Sequence, residues 1–186
     1  MCNMRRWLAL GLMTLTLGAR ADFNEGVFAY ANGDYEKALQ TFLPMAQASN
    51  DPLAQYWLGM MHLRGQGVSQ DDTEAAKFFT DSAKQGLPNA QMRLAELYTE
   101  GRGVAQDYQA AYAWYAVADR IGHKKAAAAL ATVGEKLTSA ELASAQRLAE
   151  QFIKDYSKPP AAGETATPAG APAGLPAGEG PANAMP

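Results

Sequence analysis

At 186 residues and 48% hydrophobic content, the chain has the size of a single globular domain. Its formal net charge is −3. Beyond residue 21, thirteen Lys and Arg stand against nineteen Asp and Glu, about −6, which argues against nucleic acid or an anionic membrane as the main partner.

The N-terminus reads as a secretory signal peptide. Arg5 and Arg6 form a charged start, and Trp7 to Leu17 form an apolar run too short to span a bilayer. Ala19-Arg20-Ala21 is a small-residue cleavage signature, so the mature chain is expected to begin at Asp22, without membrane insertion. Cys2, the only cysteine, would leave with this segment. The remainder could then form no disulfide and no thiolate site.

Residues 22–50 form a first, diverged unit. Gly33-Asp34-Tyr35 is a turn leading into a helix that Asp34 can cap, with Ala38, Phe42 and Met45 recurring at helical spacing. Gly26 falls inside the preceding helix, where glycine costs about 1 kcal/mol against alanine, so it is expected to mark a close helix crossing.

Residues 51–86 form the second unit. Asp51-Pro52 opens one helix, Gly65-Gln66-Gly67 ends it, and Asp71-x-x-Glu74 resembles a capping box for the next. Residues 87–122 repeat this pattern at an offset of 36: Leu58-Gly59 returns as Leu94-Ala95, Gly65 and Gly67 as Gly101 and Gly103, Asp71 as Asp107, and Gly86 as Gly122. Two copies in phase over a whole period, each reading helix, turn, helix, predict a stacked helical solenoid. His123 to about Val133 starts a further copy, and Thr138-Ser139-Ala140-Glu141 is a capping box before a long helix ending near Tyr156. Leu142, Ala145, Leu148, Ala149 and Phe152 form its apolar stripe, as expected of a helix that caps the stack. Residues 157–186 hold seven of the ten prolines among Ala and Gly, and this composition predicts a disordered tail.

The repeated positions resemble the Sel-1-like repeat, a branch of the tetratricopeptide class. The residues that carry the resemblance are Ala54, Leu58, Gly59, Gly65, Gly67, Val68, Asp71, Ala75, Phe78, Phe79 and Gly86. Ala90, Leu94, Tyr98, Gly101, Gly103, Val104, Asp107, Ala111, Trp114, Tyr115 and Gly122 answer them in the next copy. His62 stands where the family has Tyr, and Ala95 where it has Gly. The resemblance implies an all-α right-handed solenoid of helix pairs and an adaptor for protein–protein contacts, often exported in bacteria.

Catalytic motifs are not apparent. Gly-x-Gly does not suit a phosphate here, because Asp71-Asp72 and Asp107 already occupy the helix starts where an anion would sit. Gly65, Gly67, Gly101 and Gly103 are read instead as helix stops. His62 and His123 have no metal spacing, and no cofactor or metal is expected. In helical-pair repeats the first helix of each pair lines the concave surface. That surface is expected to carry Phe23, Val27 and Tyr30, then Tyr56, Met60, Leu63 and Arg64, then Asn89, Met92, Glu96 and Thr99. Aromatic residues, Met and Arg are typical interface anchors, although part of this stripe could equally be core.

The expected function is therefore a monomeric, non-catalytic adaptor of the bacterial cell envelope. It would be periplasmic (or secreted) and would bind a segment of a protein partner. Two alternatives are an enzyme or binding protein for a cell-wall fragment, using Glu96 and Glu100, and a self-assembling structural element.

Overall fold

The computed structural model describes residues 22–157. The expected signal peptide (1–21) and most of the expected disordered tail (158–186) lie outside the described residues. Among the described residues there are eight helices and no strand. They are α1 over 22–31, α2 (Tyr35–Ala48), α3 (Pro52–Arg64), α4 (Asp72–Lys84), α5 (Pro88–Glu100), α6 (Tyr108–Arg120), α7 (Ala126–Gly134) and α8 (Ser139–Tyr156). No helix among them is long and apolar enough to cross a membrane.

The helix ends follow from local chemistry. Asp34, Asp51, Asp71 and Asp107 each accept hydrogen bonds from free backbone N–H groups at a helix start. Pro52 and Pro88 sit in the first turns, where a missing N–H costs nothing. Gly65 and Gly101 end α3 and α5 in the left-handed conformation, at φ 64° and 69°. At Thr138 both halves of the capping box are made. At Asp71 only one half is: Asp71 caps α4, but the Glu74 carboxylate pairs with Lys77 instead of returning to the cap.

The helices pack as a row of pairs, α3 between α2 and α4, and α5 between α4 and α6. The crossing within a pair is close because one side chain is missing. A Cβ on Gly26 would fall 2.7 Å from Phe42 Cε1, and one on Gly59 would fall 2.7 Å from Phe79 Cε1. The rings of Phe42 and Phe79 therefore press against the neighbouring backbone, and both are fully buried. Each such ring stabilises the fold by roughly 1.5–3 kcal/mol through burial alone.

The core falls into two clusters. One joins the first unit to the second, through Ala38, Phe42, Ala46, Leu58 and Met61, with Trp57 packed against it. The other runs through the later units, with Phe79, Leu94, Leu97, Trp114 and Tyr115, and is closed by Phe152 and Tyr156 of α8. Both α7 and α8 rest on α6, and α8 reaches back to α4. Gln91 fastens this closure: its Nε2 donates to the carbonyls of Ala83 (3.1 Å) and Tyr156 (3.2 Å). Its Oε1 is buried without a partner.

Candidate functional site

The four repeat glycines divide into two pairs with different work. Gly65 and Gly101 stop helices, as the spacing predicts. Gly67 and Gly103 do not: they lie two residues further on, where the loop presses back onto the preceding pair. A Cβ on Gly67 would come within 2.9 Å of the Tyr35 carbonyl oxygen, and one on Gly103 within 1.9 Å of the Asp72 carbonyl oxygen. Both have positive φ, 74° and 68°. The second glycine of the motif thus permits stacking between units rather than helix termination.

The residue between the glycines then reaches across each junction. Gln66 donates from Nε2 to the Tyr35 hydroxyl (2.9 Å) and accepts from the Tyr30 hydroxyl on Oε1 (2.5 Å). Arg102, one period later, makes a two-pronged ion pair with Asp72, Nε to Oδ2 and Nη2 to Oδ1, both at 3.0 Å. It also approaches Glu100 at 3.4 Å.

These contacts rearrange the expected binding surface. Tyr30 is core rather than surface: it is 5% exposed, packed on Tyr35 and Trp57, and burial raises its phenol above the ordinary range, against the pull of Arg64. Met60 and Met92, 5% and 6% exposed, are core as well, since each first helix is flanked by second helices on both sides. Arg64 is exposed, but its Nη1 donates to the Tyr30 hydroxyl at 3.1 Å and so braces a junction. Phe23, Val27, Tyr56, Leu63, Glu96 and Thr99 are half-buried, and Asn89 is exposed.

What the structure does bring together lies around α5. Arg93 pairs with Glu96 at 2.8 Å and lies beside Tyr56 of the preceding unit. His123, at the turn before α7, faces the same group: Glu96 raises its pKa and Arg93 and Lys125 lower it, but burial dominates and holds it below the usual imidazole value. The Lys125 N–H points at His123 Nδ1 (3.4 Å), as suits a neutral ring. Tyr115 adds its hydroxyl beside Thr99, near Glu96 and Glu100, and burial raises its pKa. Tyr56, Arg93, Glu96, Thr99 and His123 thus form a mixed aromatic and charged strip that crosses three units. The sequence reading missed Arg93, although its i, i+3 spacing to Glu96 was the available signal.

Glu96 and Glu100 do not converge as an acid pair, because each faces a different arginine, Arg93 and Arg102. His62 stacks on Phe78, with centroids 5.5 Å apart, and its Nδ1 is buried without a partner. Among the described residues, no group of three or more His, Cys, Asp and Glu side chains is placed to hold a metal ion.

Comparison with known proteins agrees with this architecture. The Sel1 repeat family model matches residues 52–87 and 88–118. A protective antigen of uropathogenic Escherichia coli with an SLR fold is 33% identical, with a TM-score of 0.70 over 75% of this chain and 30% of its own. A Sel1 repeat protein from Oxalobacter formigenes is 25% identical, with a TM-score of 0.56 over 69% of this chain and 55% of its own. An exopolysaccharide production negative regulator of Rhizobium leguminosarum bv. viciae is 35% identical over 65 residues, which span 35% of this chain and 24% of the regulator. All three relatives are longer than the part matched here. The chain therefore carries two Sel1 repeats within an α/α solenoid of the kind its structural neighbours show.

Proposed function

We propose that this protein is an exported, non-catalytic adaptor of the bacterial cell envelope that holds a segment of a protein partner along its first helices. Sel1 repeats typically mediate protein–protein interaction, which supports the binding role. The observation that carries the reading is the strip of Tyr56, Arg93, Glu96, Thr99 and His123. It spans three units, is only half-buried, and offers aromatic surface next to paired charges. Interfaces favour such a composition, and a strip that crosses units suits an extended or helical peptide better than a small molecule. The export and periplasmic location rest on the N-terminal pattern Arg5-Arg6, Trp7–Leu17 and Ala19-Arg20-Ala21.

The test is affinity capture from envelope extract with the full chain, beside a Tyr56→Ala, Leu63→Ala, Glu96→Gln variant of unchanged helicity. A partner held by the parent and lost at least tenfold by the variant is the expected result. Equal capture by both would move the binding surface elsewhere. Mass spectrometry of the purified protein checks export: a chain beginning at Asp22 is expected, and an intact N-terminus in the cytoplasmic fraction would overturn the location.

A further inference from the structure

Phe28 is the large hydrophobic side chain that stands out on the surface of the described residues, at 70% exposure. Its place in the repeat explains why. Gly26 and Gly59 occupy the same position, since each receives the ring of its own partner helix at 2.7 Å, and Ala95 follows Gly59 by one period. Two residues on from these stand Phe28, Met61 and Leu97. Met61 is fully buried and Leu97 is 2% exposed. Met61 lies in one cluster with Ala38, Phe42 and Ala46 of α2, and Leu97 in one cluster with Ala75, Ala76 and Phe79 of α4. In both cases the second helix of the preceding unit closes over the site. Phe28 holds the same position in the first unit, where among the described residues no preceding helix covers it.

The rest of this face is fitted for water. Glu25 stands where Leu58 and Leu94 are buried, and it pairs with Lys37 at 2.7 Å, both about half exposed. One apolar knob in a charged rim is too little for a dimer, which needs about 800 Å² from each partner.

We propose that the N-terminal end of the solenoid is a docking surface for an amphipathic helix of a partner protein, which would cover Phe28 in the seat that a preceding repeat would fill. The interior junctions specify the occupant: a helix with small and aromatic residues at i, i+4 and i+8, as in Ala38, Phe42 and Ala46, flanked by polar residues that meet Glu25 and Lys37. This surface is separate from the strip on α3 and α5, and the proposal does not depend on that reading.

The probe is a synthetic peptide of residues 34–49, the α2 sequence that covers Met61. Gln40→Lys, bridged to Glu36, holds it helical, since free helices of this length are marginal in water. Its binding to the full chain is measured by fluorescence anisotropy, with a scrambled peptide as control and sedimentation velocity alongside. The expected result is saturable binding, weakened at least fivefold by Phe28→Ser, with the melting temperature of the variant unchanged. Absence of binding, or binding equal in the Phe28→Ser chain, would overturn the proposal. Two further outcomes would overturn it by naming another occupant. One is a dimer of the parent chain that Phe28→Ser dissolves. The other is binding that appears only once residues 1–21 are removed, which would assign the seat to the chain's own N-terminal segment.

Discussion

Gln91 shows how far a single residue departs from the repeat it belongs to. Its counterpart Gln55 is satisfied at both ends, donating to Asn50 Oδ1 and accepting from Gln85 Nε2, each at 2.7 Å. One period after Gln85 stands Ile121, which has no side-chain donor, and Gln91 Oε1 is left buried without a partner. The amide cannot turn over to repair this, because its N–H groups already serve two carbonyls. An unmet buried acceptor costs about 1–3 kcal/mol. Ile121→Gln should therefore be more stable than its isostere Ile121→Met by about 1 kcal/mol in urea denaturation. A glutamine variant no better than the methionine variant would mean that the two turns do not superimpose as the repeat implies.

Among elements, the Gly-x-Gly loop is the one whose role the sequence concealed. Its glycines mark a turn, and their spacing says that two of them matter. Only three dimensions show that the second one lies against another unit. A sequence pattern records backbone conformation locally, whereas the lack of room for a Cβ on Gly103, which would fall 1.9 Å from the Asp72 carbonyl oxygen, is set by a residue about thirty positions away. Gly103→Ala combines left-handed strain, about 1–2 kcal/mol, with overpacking of about 1–3 kcal/mol. Gly122→Ala carries the strain alone, since a Cβ there meets nothing within 4 Å. Thermal melts should rank Gly103→Ala well below Gly122→Ala, and equal melting points would remove the stacking role. The capping box at Thr138 and the aspartate caps were legible because their partners lie within a few residues. The half-made box at Asp71 was misread because Lys77 competes for Glu74.

At the scale of the whole molecule, periodicity made the fold legible and left the surface ambiguous. The offset of 36 fixes α3 to α6, because every position is seen twice. The first unit follows other offsets, since the turn between α1 and α2 is shorter than that between α3 and α4. Burial along a first helix depends on both flanking helices, so period alone could not separate Tyr30, Met60 and Met92 from Tyr56 and Leu63. The same reasoning places Arg93 and His123 in the strip only once α5 and the turn before α7 are folded together.

The unlike residues at the centre of the two loops make the junctions respond to different solvents. Gln66 ties its junction with neutral groups, Tyr30 and Tyr35. Arg102 ties its junction with a charged, partly exposed pair, Arg102 and Asp72 being 42% and 28% exposed. Salt screens the second bond and leaves the first almost untouched. Raising ionic strength should therefore speed hydrogen exchange around α4 to α6 before it does so around α1 to α3, and Arg102→Gln should abolish that order. Equal acceleration at both junctions would show that the ion pair carries no weight. A chain of repeated units thereby acquires a direction: the end at which it first comes apart is chosen by the electrolyte around it.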